Sequence, residues 1–128
     1  MPFDWNDFLT LADELATRFD EASKRTAISR AYYCVFNLAS ARAESNVGPR
    51  PKGTLTSHQW CWNQYKQTVD PTCQRLGNTG ERMKRMRGNV DYRATDIFRL
   101  DDEVQRVLQE AHELLAGLAA LDPQYPRP

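Results

Sequence analysis

The sequence lacks long apolar runs. Its longest near-apolar stretch, Leu114 to Leu121, is eight residues, whereas a membrane-spanning helix needs roughly 20. No membrane association is expected. At the amino-terminal end Asp4 and Asp7 stand where a secretory leader carries Lys or Arg, so no signal peptide is expected. Only three cysteines are present, an odd number that suits free thiols in a reducing compartment better than a disulfide framework. A cytoplasmic protein is the expectation. Apolar–polar alternation of period two is missing, and with it any strand signal. The chain also has no G-x-S-x-G string and no Gly-rich phosphate loop, so neither a hydrolase elbow nor a Walker-type site is expected.

Paired metal-ligand spacing is absent too. His58, Cys61 and Cys73 are the only soft ligands near one another, Cys73 lies beyond Pro71, and a structural zinc site needs four. No metal and no cofactor are expected. His58 reads as a helix-surface histidine and His112 as a helix-face or partly packed one.

Thirteen aromatic residues among 128 give the chain much to bury, enough for one domain. Seventeen basic and seventeen acidic residues cancel, but unevenly: residues 22–99 hold 14 basic and 5 acidic ones, and the two ends together hold 3 and 12. The middle can meet an anion such as RNA, or be neutralised by the acidic outer helices.

Apolar residues recur at three- and four-residue steps in five segments. The first runs from about Asp4 to Arg18, with Phe8, Leu11, Ala12, Leu15 and Phe19 as its core stripe. The second runs from about Glu21 to Glu44, capped by Asp20, with Ile28, Ala31, Tyr32, Val35, Leu38 and Ala39 inward and many small residues. Asn46 to Gly53 breaks it. The third starts at Thr56, which has capping-box spacing to Gln59, and ends at Pro71. The fourth begins near Thr79, puts Met83, Met86 and Val90 on one face, and kinks or ends near Gly88. The fifth takes Asp101 as N-cap and carries a stripe from Val104 to Leu118. These segments predict an all-α, antiparallel up-and-down bundle of four to five helices over residues 1–122, followed by a flexible Pro-rich tail, 123–128.

The chemistry concentrates in the fourth segment. Arg82, Lys84 and Arg85 form a basic patch that can hold phosphates, and Arg82 and Lys84 read as solvated cations. Next comes R-G-N-V-D-Y, with Arg87, Asn89, Asp91 and Tyr92; Arg87 and Asp91 have helix-pair spacing. The second helix, with Ser29, Arg30, Tyr32 and Tyr33, is expected opposite them, forming a buried polar network.

AISRAYYCVFNLA at 27–39, followed by MRGNVDY at 86–92, resembles the HEPN superfamily, in the branch with A-x-S-R-A-Y-Y and R-x-x-A-D-Y strings. Ser29, Arg30, Ala31, Tyr32, Tyr33 and Phe36 match the first string; Arg87, Asp91 and Tyr92 match the second, with Val90 in place of Ala. The resemblance implies a small prokaryotic helical bundle that forms a homodimer. It implies work beside a nucleotidyltransferase or another defence-system protein, in a toxin–antitoxin or antiviral module. Many such domains are metal-independent ribonucleases with an R-x4–6-H motif. Here no His follows Arg87 at that spacing; the positions hold Tyr92, Arg93 and Ala94. A bundle can still bring His58 or His112 to the string. Three readings follow. The first is a non-catalytic protein binding RNA, a nucleotide or a partner through Ser29, Arg30, Tyr33, Arg87, Asn89, Asp91 and Tyr92. The second is a ribonuclease toxin with an atypical site of Arg30, Arg87, Asp91 and Tyr92. The third is a structural interaction subunit. Dimerisation also draws on the second helix's small-residue face and on Trp60 and Trp62, which are expected to be partly wet in a single copy.

Overall fold

The computed structural model describes residues 2–53, 55–95 and 97–128. Five helices follow one another: α1 (Asn6–Leu15), α2 (Glu21–Val47), α3 (Ser57–Lys66), α4 (Pro71–Tyr92) and α5 (Leu100–Ala120). They form the all-α bundle the sequence predicts. No strand occurs among the described residues.

Helix α2 is the hub, touching all four others. Its start packs near the end of α4, because Arg25 donates to the carbonyls of Val90, Arg93 and Ala94. Its far end packs near the end of α5 through Arg42. Helix α3 lies beside the middle of α2 in the same sense: His58 faces Tyr32, and Tyr65 donates to the carbonyl of Ala39. The connection after Val47 makes this possible, since Gly48 takes a φ of 111° and turns the chain back.

Local capping explains most of the helix starts. Asp20 accepts from the Ser23 amide, Thr56 and Gln59 form the expected capping box, and Asp70 accepts from the Cys73 amide. Pro71 does not end α3. It stands at the first position of α4, where its missing N–H costs nothing. Helix α4 is therefore longer than expected, starting eight residues before Thr79 and passing through Gly88 to Tyr92. Arg99, in the left-handed region, precedes α5, so Asp101 sits in the first turn and is not the cap.

The core holds the expected stripes of α2 and α5. In α1 the stripe is rotated: Leu9, Ala12 and Leu15 are buried, while Leu11 is exposed and Phe19 lies outside the helix, almost wholly in solvent. Trp60 and Trp62 are buried within the single chain, which removes them as an argument for a dimer.

The tail expected to be flexible is tied down. Arg42 donates to the carbonyls of Leu118, Leu121, Asp122 and Tyr125, Asn46 donates to those of Pro123 and Tyr125, and Pro126 is buried. One guanidinium thus satisfies the carbonyls left over at a helix end. Arg42→Ala is expected to cost about 2–3 kcal/mol, because charged hydrogen bonds to half-buried carbonyls are lost together. Urea unfolding checks it, and an unchanged midpoint contradicts it.

Candidate functional site

The polar network expected between α2 and α4 is present. Ser29 donates to Asp91 at 3.2 Å, and Arg30 donates to the Ser29 hydroxyl at 3.3 Å. Arg87 lies 3.6 Å from the Asp91 carboxylate, one turn along α4. Its guanidinium also sits 5.5 Å from the Tyr33 ring centre, 5.8 Å from that of Tyr32 and 5.7 Å from that of Tyr92. Arg30 packs over Phe8 at 4.6 Å and over Tyr33 at 5.1 Å. Two cations are thus interleaved with four aromatic rings, at distances where ring quadrupoles hold cations. The Arg87 side chain is only 12% exposed, and its Nε is buried with no hydrogen-bond partner among the described residues. A buried guanidinium donor without an acceptor is costly, so it marks a group whose hydrogen bonding is incomplete.

Asn89, expected in the site, makes no side-chain contact with this network among the described residues; its carbonyl accepts from the Arg93 amide at the end of α4. Tyr92 projects its ring outward, 81% exposed, at the edge of the cluster.

The basic patch does not act as a unit. Arg82 turns to α5 and donates to Glu110 at 2.8 Å, so it is an interhelical ion pair and not a solvated cation. Arg85 is exposed, and Lys84 is half-buried with its charge felt at His58. The roughly 100° turn per residue spreads these side chains around the helix.

His58 lies elsewhere than its sequence position suggests. It is a partner in the cluster and not a surface histidine. Its ring stacks on Phe36 with centres 4.0 Å apart, and its Nδ1 lies 2.6 Å from the Tyr32 hydroxyl. Trp62 donates its indole N–H to the same hydroxyl at 3.1 Å. Tyr32 and Tyr33 contact both His58 and Arg87. The i, i+4, i+7 spacing of His58, Trp62 and Tyr65 is the sequence signal for this inward face. The other histidine, His112, pairs instead with Asp13 at 3.0 Å, joining α5 to α1.

Burial, and behind it the charges of Arg87 and Lys84, pushes the His58 imidazole down to about 4. Burial likewise pushes the Tyr32 hydroxyl well above its usual range. At neutral pH the imidazole is neutral and the phenol keeps its proton. The unfolded chain takes up a proton on His58 near pH 6.5 that the folded chain refuses until about pH 4. Stability is therefore expected to fall as pH drops through that window, by at most about 3 kcal/mol. His58→Gln should remove this component. Parallel urea melts of both proteins across the window check it, and identical pH slopes would contradict it.

All three cysteines are buried, and burial pushes their thiols up, that of Cys34 to about 11. Among the described residues no three His, Cys, Asp or Glu side chains converge as a metal site would require. None of their helices is long and apolar enough to cross a membrane. A surface groove beside Phe19, Lys24, Arg99 and Asp101 shares no residue with the Arg87 cluster.

Fold and site together define a small helical bundle with an arginine–aromatic cluster and a neutral histidine at the junction of α2, α3 and α4. No family model, curated protein or solved structure matches the chain.

Proposed function

We propose that this protein is a non-catalytic, HEPN-like component of a prokaryotic toxin–antitoxin or antiviral defence module, holding the phosphate of an RNA or nucleotide at the Arg87 cluster. The observation that carries this reading is Arg87 itself: a largely buried guanidinium among three tyrosine rings, with Nε unpartnered and Asp91 only loosely engaged. Phosphate oxygens are the acceptors such a group suits. Arg30 supplies a second cation, and the exposed Tyr92 ring supplies a face on which a base can stack. The lack of cleavage follows from His58, whose Nδ1 is engaged by Tyr32 and whose neutral state makes it a weak acid–base group at pH 7.

A second reading, a metal-independent ribonuclease, is favoured by one observation: α3 brings an imidazole into the cluster that the Arg87 string itself lacks. One experiment separates the two. Labelled mixed-sequence single-stranded RNA is incubated with the protein and EDTA, and both retention and integrity are followed at low and high salt. Retention that weakens with salt, with intact RNA, is the expected result. Cleavage abolished by Arg87→Ala and by His58→Gln would favour the enzyme. No retention at any salt would leave a structural interaction subunit as the better description.

A homodimer and a nucleotidyltransferase partner belong to this proposal through the family resemblance. Light scattering at twice the 14.8 kDa chain mass is the expected result for the first. Co-purification with a co-expressed neighbouring nucleotidyltransferase is the expected result for the second.

A further inference from the structure

Tyr32 is completely buried and Trp62 nearly so, yet their polar atoms meet at the edge of the Arg87 cluster. An indole N–H can only donate, so the Tyr32 oxygen accepts from Trp62. The hydroxyl has one proton of its own, and His58 Nδ1 stands 2.6 Å away. Two arrangements fit that distance. In one the hydroxyl donates to Nδ1, and the neutral imidazole carries its proton on Nε2. In the other Nδ1–H donates to the hydroxyl oxygen, which then accepts twice. The phenolic proton is left without an acceptor, because the oxygen has no other hydrogen-bond partner among the described residues. A buried donor left unmade disfavours the second arrangement by roughly tenfold or more in population.

We infer that Trp62 and Tyr32 are positioning residues that lock His58 in the Nε2–H tautomer, so that the Arg87 cluster meets an anionic ligand with a neutral hydrogen-bond donor and not with a proton acceptor. The tautomer stands on the geometry alone; the anionic ligand rests on the proposed function. Stacking on Phe36 holds the ring plane. The groups facing the ring are Tyr32, Tyr33 and Phe36 from α2, and Arg87 and Lys84 act on it from α4. Both cations oppose a second proton on the imidazole, so the lock holds through neutral pH. His58 is then unable to take a proton from a ribose hydroxyl unless it changes tautomer, and that change strips Tyr32 of its acceptor. The ligand chemistry that suits an Nε2–H donor on a ring that shares Tyr32 and Tyr33 with Arg87 is a phosphodiester oxygen, which accepts and is already charged.

The test is a long-range proton–nitrogen spectrum of the full chain with 15N-labelled histidines, with His112 as the internal comparison. His58 is expected to show an unprotonated Nδ1 and a protonated Nε2, unchanged from neutral pH to about pH 5. Tyr32→Phe, which removes only the hydroxyl, should give mixed tautomers and a higher titration midpoint. Trp62→Phe should show a partial version of the same change. A wild-type spectrum that averages both tautomers, or shows a protonated Nδ1, overturns the lock whether or not the variants fold. Binding of labelled single-stranded RNA is followed in parallel, with Tyr32→Phe expected to weaken it by roughly 3- to 10-fold, the loss of about one hydrogen bond. Equal binding by wild type and by a Tyr32→Phe protein whose tautomer has changed overturns the role in recognition. No binding by wild type with the tautomer as expected overturns the phosphate-binding proposal and leaves the lock standing.

Discussion

Arg87→Ala is expected to weaken RNA retention tenfold or more, while Arg82→Ala leaves retention nearly unchanged and lowers stability. The two arginines lie five positions apart on one helix but serve different neighbours. Arg82 reaches α5 and pairs with Glu110, with side chains 24% and 18% exposed. Breaking that half-buried pair is expected to cost about 1–3 kcal/mol, between the values for surface and fully buried pairs. Among the described residues Arg87 has only Asp91 as an acidic neighbour, 3.6 Å away and also held by Ser29. Its contribution to stability comes mainly from the tyrosine faces, about 1–2 kcal/mol. Its terminal nitrogens, unlike the buried Nε, are the donors left for a ligand. Arg87→Lys keeps the charge but loses the planar fork, so it should recover only part of the binding. Retention on filters, together with urea midpoints for each variant, checks the pattern. Equal loss of binding for Arg82→Ala and Arg87→Ala would contradict the special role given to Arg87.

Trp62→Ala is expected to cost about 3–5 kcal/mol, as for large core aromatics. Trp62 is 2% exposed and packs among Tyr32, Phe36 and Tyr65. Its ring lies flat against the backbone of α4: a Cβ built on Gly80 would meet three ring atoms at 2.4–2.5 Å. Gly80→Ala must therefore displace the indole. The expected net cost is about 1–3 kcal/mol, even though alanine is the better helix former. The two changes should not add. With alanine at position 62 the collision disappears, so the double variant should be no less stable than Trp62→Ala alone. A double-mutant cycle on urea midpoints reads this coupling directly. Gly88 is the control on the same helix. Nothing lies within 4 Å of a Cβ there, and Gly88→Ala should gain up to about 1 kcal/mol. Additive losses at positions 80 and 62 would mean that the close approach is not what glycine serves.

The parts of the molecule legible in its sequence are those set by local rules. The capping box of Thr56 and Gln59 and the stripes of α2 and α5 follow from periodicity and spacing. Three features were harder to read for physical reasons. Pro71 is equally at home after a helix and at the first position of the next; only Asp70, as a cap, tips the balance. Phe19 continues the α1 period, but the helix ends at Leu15 and the period no longer describes the chain. His58 is separated from Tyr32 by 26 residues and a turning loop, so its place beside Arg87 is a tertiary fact. Helical periodicity marks it as inward but does not name its neighbours.

The three buried cysteines have a practical consequence. Cys34, Cys61 and Cys73 lie one each in α2, α3 and α4 and are closed to solvent. Alkylating reagents attack thiolates, and these thiols are both covered and held protonated. Labelling must then wait for the chain to open, so its rate at each cysteine reports the free energy of exposing that helix. Three helices of the bundle carry their own probes, without any engineered site. If α3 opens before its neighbours, Cys61 will be modified first, and the order of modification will map which part of the cluster loosens while the rest remains folded.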